Sequence, residues 1–245
     1  MRAAPVKLGS QVPAYTTKEL TKKTWADFEK LFSRGNGWDF CWCMHFHRSR
    51  IWPSSDKLHR AERSVRNRRD KRALVETGRT HGILVYADDE PIGWCQYGPR
   101  EELPRIDESR DYREFDRYNS TKLWRITCFV VDKRYRRRGV ATVALKAALN
   151  AIRKKGGGAV EAYPITQWRT GTFGNQSTTG TATMFEKVGF KTAAPFGRTV
   201  HRTNVLMRAN LTPTPSHNGK GNGIRNKNER PARFFSRAFC IVTDV

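Results

Sequence analysis

The sequence predicts one α/β (α+β) domain, in which helices flank a single mixed sheet. Segments with strand patterning and segments with helical spacing succeed one another along most of the 245 residues. Apolar residues make up 38% of the chain and charged residues 28%, a composition that allows a folded core. No stretch approaches the ~20 consecutive apolar residues that a membrane helix needs, so we expect no membrane-spanning segment.

Two helices are predicted in the first third of the chain. Thr21 or Thr24 can cap a helix that runs through Leu31, because the apolar residues within it fall on one face. Ser55 can cap a second helix that reaches about Glu76.

Two strands follow these helices. Gly82–Tyr86 and Pro91–Tyr97 are apolar runs on either side of a polar turn, which is typical of neighbouring strands. Residues 38–46, which join the two helices, are predicted to be extended or irregular. Residues 100–119 are predicted to form a polar connection.

The second half of the chain has the clearest patterns. Leu123–Val131 is a strongly apolar run that predicts a strand, and Val140–Lys154 carries apolar residues at helical spacing. Shorter patterns predict a strand, a helix and a last strand at Val160–Tyr163, Thr181–Val188 and Val200–Ala209.

A shift in composition divides the chain into a folded domain, residues 5–210, and a tail, residues 211–245. The tail is rich in Pro, Gly, Asn and basic residues, and it cannot bury enough apolar area to fold. We therefore expect a flexible basic C-terminal tail.

The chain is strongly basic, with 46 Lys and Arg residues against 23 Asp and Glu and a formal net charge of +23. A surface of this kind attracts polyanions. The helix predicted at residues 55–77 is dense in arginine and lysine. It is either a solvated helix face or a site for RNA or an acidic protein partner.

The chain has five cysteines, an odd number, and its N-terminus lacks the apolar run of a secretory signal. Free thiols in a reduced compartment are the simplest interpretation. We therefore expect a cytoplasmic protein.

The segment CFVVDKRYRRRGVATVALKAAL joins the strongest strand to the strongest helix. Backbone N–H groups at a helix N-terminus bind anions, and Arg136, Arg137 and Arg138 add full charges beside them. Gly139 lets the backbone come close to a ligand. The segment therefore predicts a site for a phosphate or a pyrophosphate.

Arg136–Ala141 resembles the R/Q-x-x-G-x-G/A motif of the GCN5-related N-acetyltransferase (GNAT) superfamily. The segment MFEKVGF, Met184–Phe190, is similar to the last helix and turn of that family. The segments CWCMHF and EAYP also look like a poorly characterised branch of it. The order of elements agrees over roughly residues 10–209.

The resemblance implies a GNAT-like acyl-CoA N-acyltransferase fold, with a mostly antiparallel sheet. It also implies transfer of the acetyl group of acetyl-CoA directly to an amine acceptor. Pantetheine would run along the strand and bond its backbone near Phe129 and Val131. The implied cofactor-binding residues are Phe129, Val130, Val131, Arg136, Arg137, Arg138, Gly139, Val140, Ala141 and Thr142.

The sequence departs from the family pattern at the two usual acid–base positions. Many members carry a tyrosine in the last helix where this chain has Phe185, and some carry a glutamate where it has Arg125. Glu161 and Tyr163, which share one face of a strand, are the candidate catalytic pair. The alternative is that Glu161 is paired with an arginine and that Tyr163 packs on Pro164.

Cys41, Cys43 and His45 are the candidate acceptor-binding residues. An extended segment would spread these side chains too far apart for one zinc ion, so we expect no metal. A structural core and a nucleophilic Cys43 or Cys128 are the other interpretations. The alternative function is a catalytically degenerate GNAT-like protein that senses acyl-CoA or binds nucleic acid.

Overall fold

The computed structural model describes residues 14–36, 38–49, 59–115, 122–168, 178–198 and 202–215. The described residues form eight strands and five α-helices. In chain order these are β1 Tyr15–Glu19, α1 Trp25–Phe32, α2 Arg60–Glu76, β2 His81–Ala87, β3 Glu90–Pro99, α3 Arg110–Phe115, β4 Leu123–Val131, α4 Val140–Lys154, β5 Gly158–Ala162, β6 Ile165–Trp168, α5 Ala182–Glu186, β7 Lys191–Arg198 and β8 Arg202–Leu211.

The strands form one mixed sheet in the order β1-β2-β3-β4-β5-β8. Strand β6 pairs with β8 beyond the end of β5, and β7 pairs with β8 as well. The β4–β5 pair is parallel, whereas the other pairs of named strands are antiparallel. The predicted fold class, a mixed and mostly antiparallel sheet with flanking helices, is confirmed.

Hydrophobic packing on both faces holds the helices against the sheet. Ile83 and Val85 of β2 lie in one core with Ala144 and Ala148 of α4. Leu84, next to both on the strand, packs with α1 on the opposite face. This alternation is the period of a strand that is buried on both sides.

Strand β4 and helix α4 begin and end where the sequence predicts them. Strand β1, helix α3 and strands β6 and β7 were not predicted. Four of the five residues of β1 are exposed, so its sequence lacks the alternation that marks a half-buried strand. The connection predicted at 100–119 contains α3, which has six residues and is too short for a periodic signal.

The segment predicted as extended or irregular at 38–46 folds as successive tight turns. The N–H groups of Cys41, Met44 and His47 donate to the carbonyls of Trp38, Cys41 and Met44. The turns shorten the segment, so alternate side chains are brought together on one side.

The first residues of the predicted domain lie outside the described residues, as do Ser55 and the tail from residue 216 onward, whereas residue 210 lies within β8. The boundaries 5–210 and 211–245 therefore stay predictions. None of the described helices combines the length and apolar character needed to cross a membrane.

Candidate active site

The site lies where β4 and β5 separate. These strands pair from Leu123 with Ala159 to Ile126 with Ala162. Strand β4 then continues to Val131, while β5 ends at Ala162. A cavity of about 380 Å³ opens beside this free part of β4, and the first turn of α4 forms one of its walls.

Most of the predicted cofactor residues line this first cavity. Nine of the ten do so, and the exception is Arg138, whose guanidinium lies 5.8 Å from the ring of Tyr135. The structure adds six residues that the sequence did not indicate: Trp38, Tyr135, Thr178, Gly180, Thr181 and Met184.

Gly139 caps the N-terminus of α4 in the left-handed region, with φ of +81°. A Cβ at this position would meet no protein atom within 4 Å, so the glycine is required by its conformation and not by crowding within the chain. The free space beside Gly139 and the N–H groups of the first helical turn together form a cradle for an anion.

The loop before α4 is fixed by Asp132, which is buried. Its carboxylate accepts hydrogen bonds from the Arg134 backbone N–H at 3.0 Å and from Arg34 Nη1 at 3.3 Å. Hydrogen bonds from Arg134 are the main cause that lowers the pKa of Asp132 to about 2, against the effect of burial. Arg136 Nε donates to the Val131 carbonyl at 3.3 Å, which holds Arg136 beside the cavity.

The free edge of β4 already has one partner. The Phe129 N–H, where pantetheine was expected to bond, donates to the Thr178 carbonyl at 2.6 Å. Alternate residues of a strand direct their backbone groups to the same edge, so the backbone groups of Val131, two residues further along, face this edge as well.

A second cavity, of about 230 Å³, adjoins the first. The two share Trp38, Phe129, Val130 and Thr178 as lining residues. All three predicted acceptor residues, Cys41, Cys43 and His45, line the second cavity, together with Phe40, Phe46, Cys128 and Thr179. His45 is exposed, whereas Cys43 and Cys128 are buried.

Glu161 and Tyr163 lie together but outside both of these cavities. The Glu161 carboxylate is fully buried and accepts hydrogen bonds from Tyr112 Oη at 2.9 Å, Tyr163 Oη at 2.8 Å and Arg208 Nε at 2.8 Å. Burial raises the pKa of Tyr163 well above its ordinary value. The arrangement favours the structural interpretation, because three donors already satisfy the Glu161 carboxylate. The catalytic assignment of the pair stays a prediction.

Arg125 occupies the position where some family members carry a glutamate. It is fully buried and donates from Nη1 and Nη2 to the two carboxylate oxygens of Asp107, and from Nη1 to the Leu103 carbonyl at 3.0 Å. Arg125 Nε lies 3.8 Å from Glu161 Oε2. Asp107 and Tyr112 were missed as members of this network. The arginine within an apolar strand was the available signal that a buried carboxylate had to lie nearby.

Phe185 of α5 is fully buried and packs edge-on against Phe129 and Phe190. It does not line the first cavity. The position that carries the phenol in many relatives is therefore part of the core in this chain.

Much of the positive charge of α2 is paired with carboxylates. Arg60 pairs with Asp39, Arg68 with Glu29, and Arg72 with Glu76. These pairs favour a solvated helix face over a dedicated polyanion site, because the carboxylates neutralise part of the positive charge that would attract phosphates.

Four cysteines, Cys41, Cys43, Cys95 and Cys128, are free thiols. The fifth, Cys240, lies outside the described residues. Within the described part of the chain, no group of three or more His, Cys, Asp and Glu side chains is placed to hold a metal ion.

The family model of the GNAT acetyltransferases matches residues 17–167, which is more than half of the chain. The chain belongs to this acetyltransferase family. No match is found among curated proteins. The GNAT fold is shared with a mosquito arylalkylamine N-acetyltransferase like 5b, which is 14% identical with a TM-score of 0.50 over 81% of this chain and 100% of its own.

Two further acetyltransferase structures are also similar. A putative acetyltransferase from Salmonella typhimurium, solved with its cofactor acetyl-CoA, is 15% identical with a TM-score of 0.45, over 83% of this chain and 97% of its own. An N-acetyltransferase from Staphylococcus aureus is 12% identical with a TM-score of 0.46, over 81% of this chain and 98% of its own.

Proposed function

We propose that this GNAT protein transfers the acetyl group of acetyl-CoA directly to an amine acceptor that binds in the second cavity. The observation that carries the proposal is the junction of the two cavities at the point where β4 leaves β5. A donor in the first cavity and an acceptor in the second would meet at the wall formed by Phe129 and Val130. Such an arrangement brings two reactants together before reaction and removes much of the entropic cost of their encounter.

The residues around the first cavity suit the pyrophosphate of acetyl-CoA. Arg136 and Arg137 supply positive charge, and the α4 N-terminus supplies N–H donors beside the open space at Gly139. Acetyl-CoA itself supplies an acetyl group activated as a thioester.

We assign the deprotonation of the acceptor ammonium to His45. Four titratable side chains line the second cavity among the described residues: Cys41, Cys43, His45 and Cys128. Of these, His45 is the one that is exposed, so a proton that it accepts can pass on to solvent. The leaving thiolate takes its proton from water, because the position of the usual phenol is held by Phe185.

The alternative is a protein that binds acyl-CoA, or nucleic acid, without turnover. The ion-paired arginines of α2 weigh against a nucleic-acid partner, and the second cavity beside the donor site weighs against a simple sensor. We also propose that the protein is cytoplasmic, because the chain has an odd number of cysteines and the four described ones are free thiols, as expected in a reducing compartment.

The test is acetyl-CoA binding by calorimetry on the full chain, beside Gly139→Glu, followed by release of free CoA thiol over a panel of amines. A matched control is Gly78→Glu, because Gly78 also has a positive φ, of +68°, with no atom near a Cβ, but lies outside both cavities. We expect Gly139→Glu to abolish binding and Gly78→Glu to preserve it. A folded wild-type protein that does not bind acetyl-CoA contradicts the proposal, and binding without thiol release favours the sensor.

A further inference from the structure

Behind the wall of the second cavity lies a cluster of buried polar side chains that the proposed reaction does not use. Cys43, which lines the cavity, accepts a hydrogen bond at Sγ from Trp94 Nε1 at 3.1 Å. Cys128, on β4, lines the same cavity. Lys71, on α2, completes the cluster and is fully buried.

Lys71 has neutral hydrogen-bond partners. Its Nζ donates to Thr80 Oγ1 at 2.8 Å and lies 3.1 Å from His47 Nε2. His47 Nδ1 lies 2.7 Å from the Glu102 carbonyl, which can only accept, so Nδ1 carries the proton. His47 Nε2 is then an acceptor that Lys71 Nζ shares with Gln96 Nε2, which lies closer at 2.7 Å. Burial, and then the charge of Lys71, hold the pKa of His47 well below its ordinary value.

Lys71 also lacks a carboxylate partner, since no described Asp or Glu forms an ion pair with it. A buried ammonium without a counter-charge is costly. Burial lowers the pKa of Lys71 to about 8, and the charge of Cys43 is the main influence that opposes this decrease. Cys43, ahead of Cys128, Cys41 and Glu102, is the group whose negative charge most opposes the decrease in the pKa of Lys71.

The surroundings of Cys43 favour its thiolate. Burial opposes ionisation, but the Cys128 hydrogen bond, the Lys71 charge and the Trp94 N–H outweigh it and lower the pKa of the Cys43 thiol. The other nearby thiols show the opposite shift. Burial raises the pKa of Cys41 to about 11 and that of Cys95 well above its ordinary value, and the hydrogen bond to Cys43 does the same for Cys128.

The backbone places Cys43 in a strained position. Trp42 and Cys43 have φ values of +50° and +51°, which side chains other than glycine seldom adopt. The Trp42 ring holds this conformation, because its Nε1 donates to Ser64 Oγ at 3.0 Å and its ring stacks on Phe32. Strain of this kind persists where the fold fixes a side chain for a purpose.

We propose that Cys43, whose sulfur accepts the Trp94 N–H at the edge of the second cavity, reacts as a thiolate nucleophile and is a site of self-acetylation by acetyl-CoA when no amine occupies that cavity. The sulfur forms a bond to the acetyl carbonyl carbon, the bond from that carbon to the CoA sulfur breaks, and CoA leaves as a thiolate that water protonates. The step exchanges one thioester for another, so it needs no further reactant. The identity of the acetyl donor rests on the proposed function, whereas the reactivity of Cys43 does not.

The first test measures thiol reactivity without any CoA. Wild-type protein is treated with limiting iodoacetamide from pH 6 to 10, and each cysteine is quantified by peptide mass spectrometry. We expect Cys43 to be labelled at least tenfold faster than Cys41 in the same cavity, with a midpoint below the ordinary thiol range. Lys71→Met should move that midpoint upward. Equal labelling of Cys43 and Cys41 in the wild type would overturn the proposal, and this comparison needs no variant to fold.

The second test identifies the acetyl group. The protein is incubated with acetyl-CoA and no amine, and its intact mass is measured with and without hydroxylamine, which cleaves thioesters. We expect one hydroxylamine-labile acetyl group on Cys43, absent in Cys43→Ser and retained in Cys41→Ser. Calorimetry on the same samples separates the self-acetylation of Cys43 from the binding of acetyl-CoA as the donor. Binding of acetyl-CoA without acetylation overturns self-acetylation alone, whereas a lack of binding overturns the proposed donor and leaves the alkylation result to decide on the thiolate.

Discussion

Arg125 Nη1 and Nη2 each lie 2.7 Å from a different carboxylate oxygen of Asp107. Arg125 is fully buried in the middle of the sheet, and Asp107 belongs to the connection between β3 and α3. This two-point pair fixes the connection over the sheet. It also supplies a counter-charge, so that Arg125 does not depend on Glu161 alone.

Removing the charge of Asp107 is expected to destabilise the fold. In Asp107→Asn the buried Arg125 guanidinium keeps Glu161 as its remaining carboxylate partner. Removing one partner of a fully buried ion pair lowers the free energy of unfolding by about 3–5 kcal/mol, which sets the upper limit here. We expect a decrease of about 2–4 kcal/mol in the free energy of unfolding in urea. Asp89→Asn, at an exposed turn, is the control. A change below about 0.5 kcal/mol, within the range of surface substitutions, would show that the pair is not a structural clamp.

Acid should weaken the protein through Asp132. The folded-state pKa of Asp132, about 2, lies below the value of ~3.9 for an unfolded aspartate. Its contribution to stability is therefore fully present above pH ~4 and is lost as the pH falls toward 2. Thermal unfolding from pH 6 to 2 should show a steeper loss of stability for wild type than for Asp132→Asn. Parallel curves would mean that Asp132 is not the group that titrates.

His45→Gln should separate catalysis from donor binding. We expect kcat/KM for a reactive amine to fall about 100-fold, the lower end of what a general base contributes, and the acidic limb of its pH profile to flatten. The Kd for acetyl-CoA should stay within twofold, because His45 lines only the second cavity. His59→Gln, at the exposed N-cap of α2 and outside both cavities, should leave both quantities nearly unchanged. An unaltered pH profile in His45→Gln would remove His45 from the proton transfer.

Two glycines offer a matched pair that distinguishes a general loss of stability from damage to the donor site. A Cβ at Gly93 would lie 2.4 Å from Val140 Cγ1 in the first turn of α4, and one at Gly82 would lie 2.0 Å from the Trp94 ring. Both alanine variants should lose about 1–3 kcal/mol by overpacking. Gly93→Ala alone should also weaken acetyl-CoA binding, about tenfold or more, because it displaces the α4 N-terminus. Equal affinities in the two variants would contradict a donor site at this turn.

The sequence patterns predicted those parts of the site that local chemistry determines. The strand, loop and helix from Leu123 to Lys154 carry periodicity, a glycine and a run of arginines, and each of these signals acts within a few residues. The hydrogen bonds between Arg125 and Asp107, and between Trp94 and Cys43, join residues 18 and 51 positions apart, so no pattern within an element encodes them.

The position of Glu161 shows the same limit. A glutamate in an apolar strand indicates a functional role or a buried partner, and the sequence alone does not say which. The parallel register places Glu161 opposite Arg125 and so favours the buried partner, and that register depends on tertiary structure. The turns at 38–46 were missed for a related reason, since they are stabilised by packing of Trp42 and not by turn residues such as Gly or Pro.

The hydrogen bond from the Phe129 N–H to the Thr178 carbonyl makes donor binding an exchange. A pantetheine arm that takes this N–H must release the chain's own carbonyl, so part of its binding energy replaces an existing bond instead of adding a new one. A shortened ligand that carries the pyrophosphate but no pantetheine avoids this exchange. The affinity gained per added atom should therefore be smaller for the pantetheine arm than for the nucleotide portion.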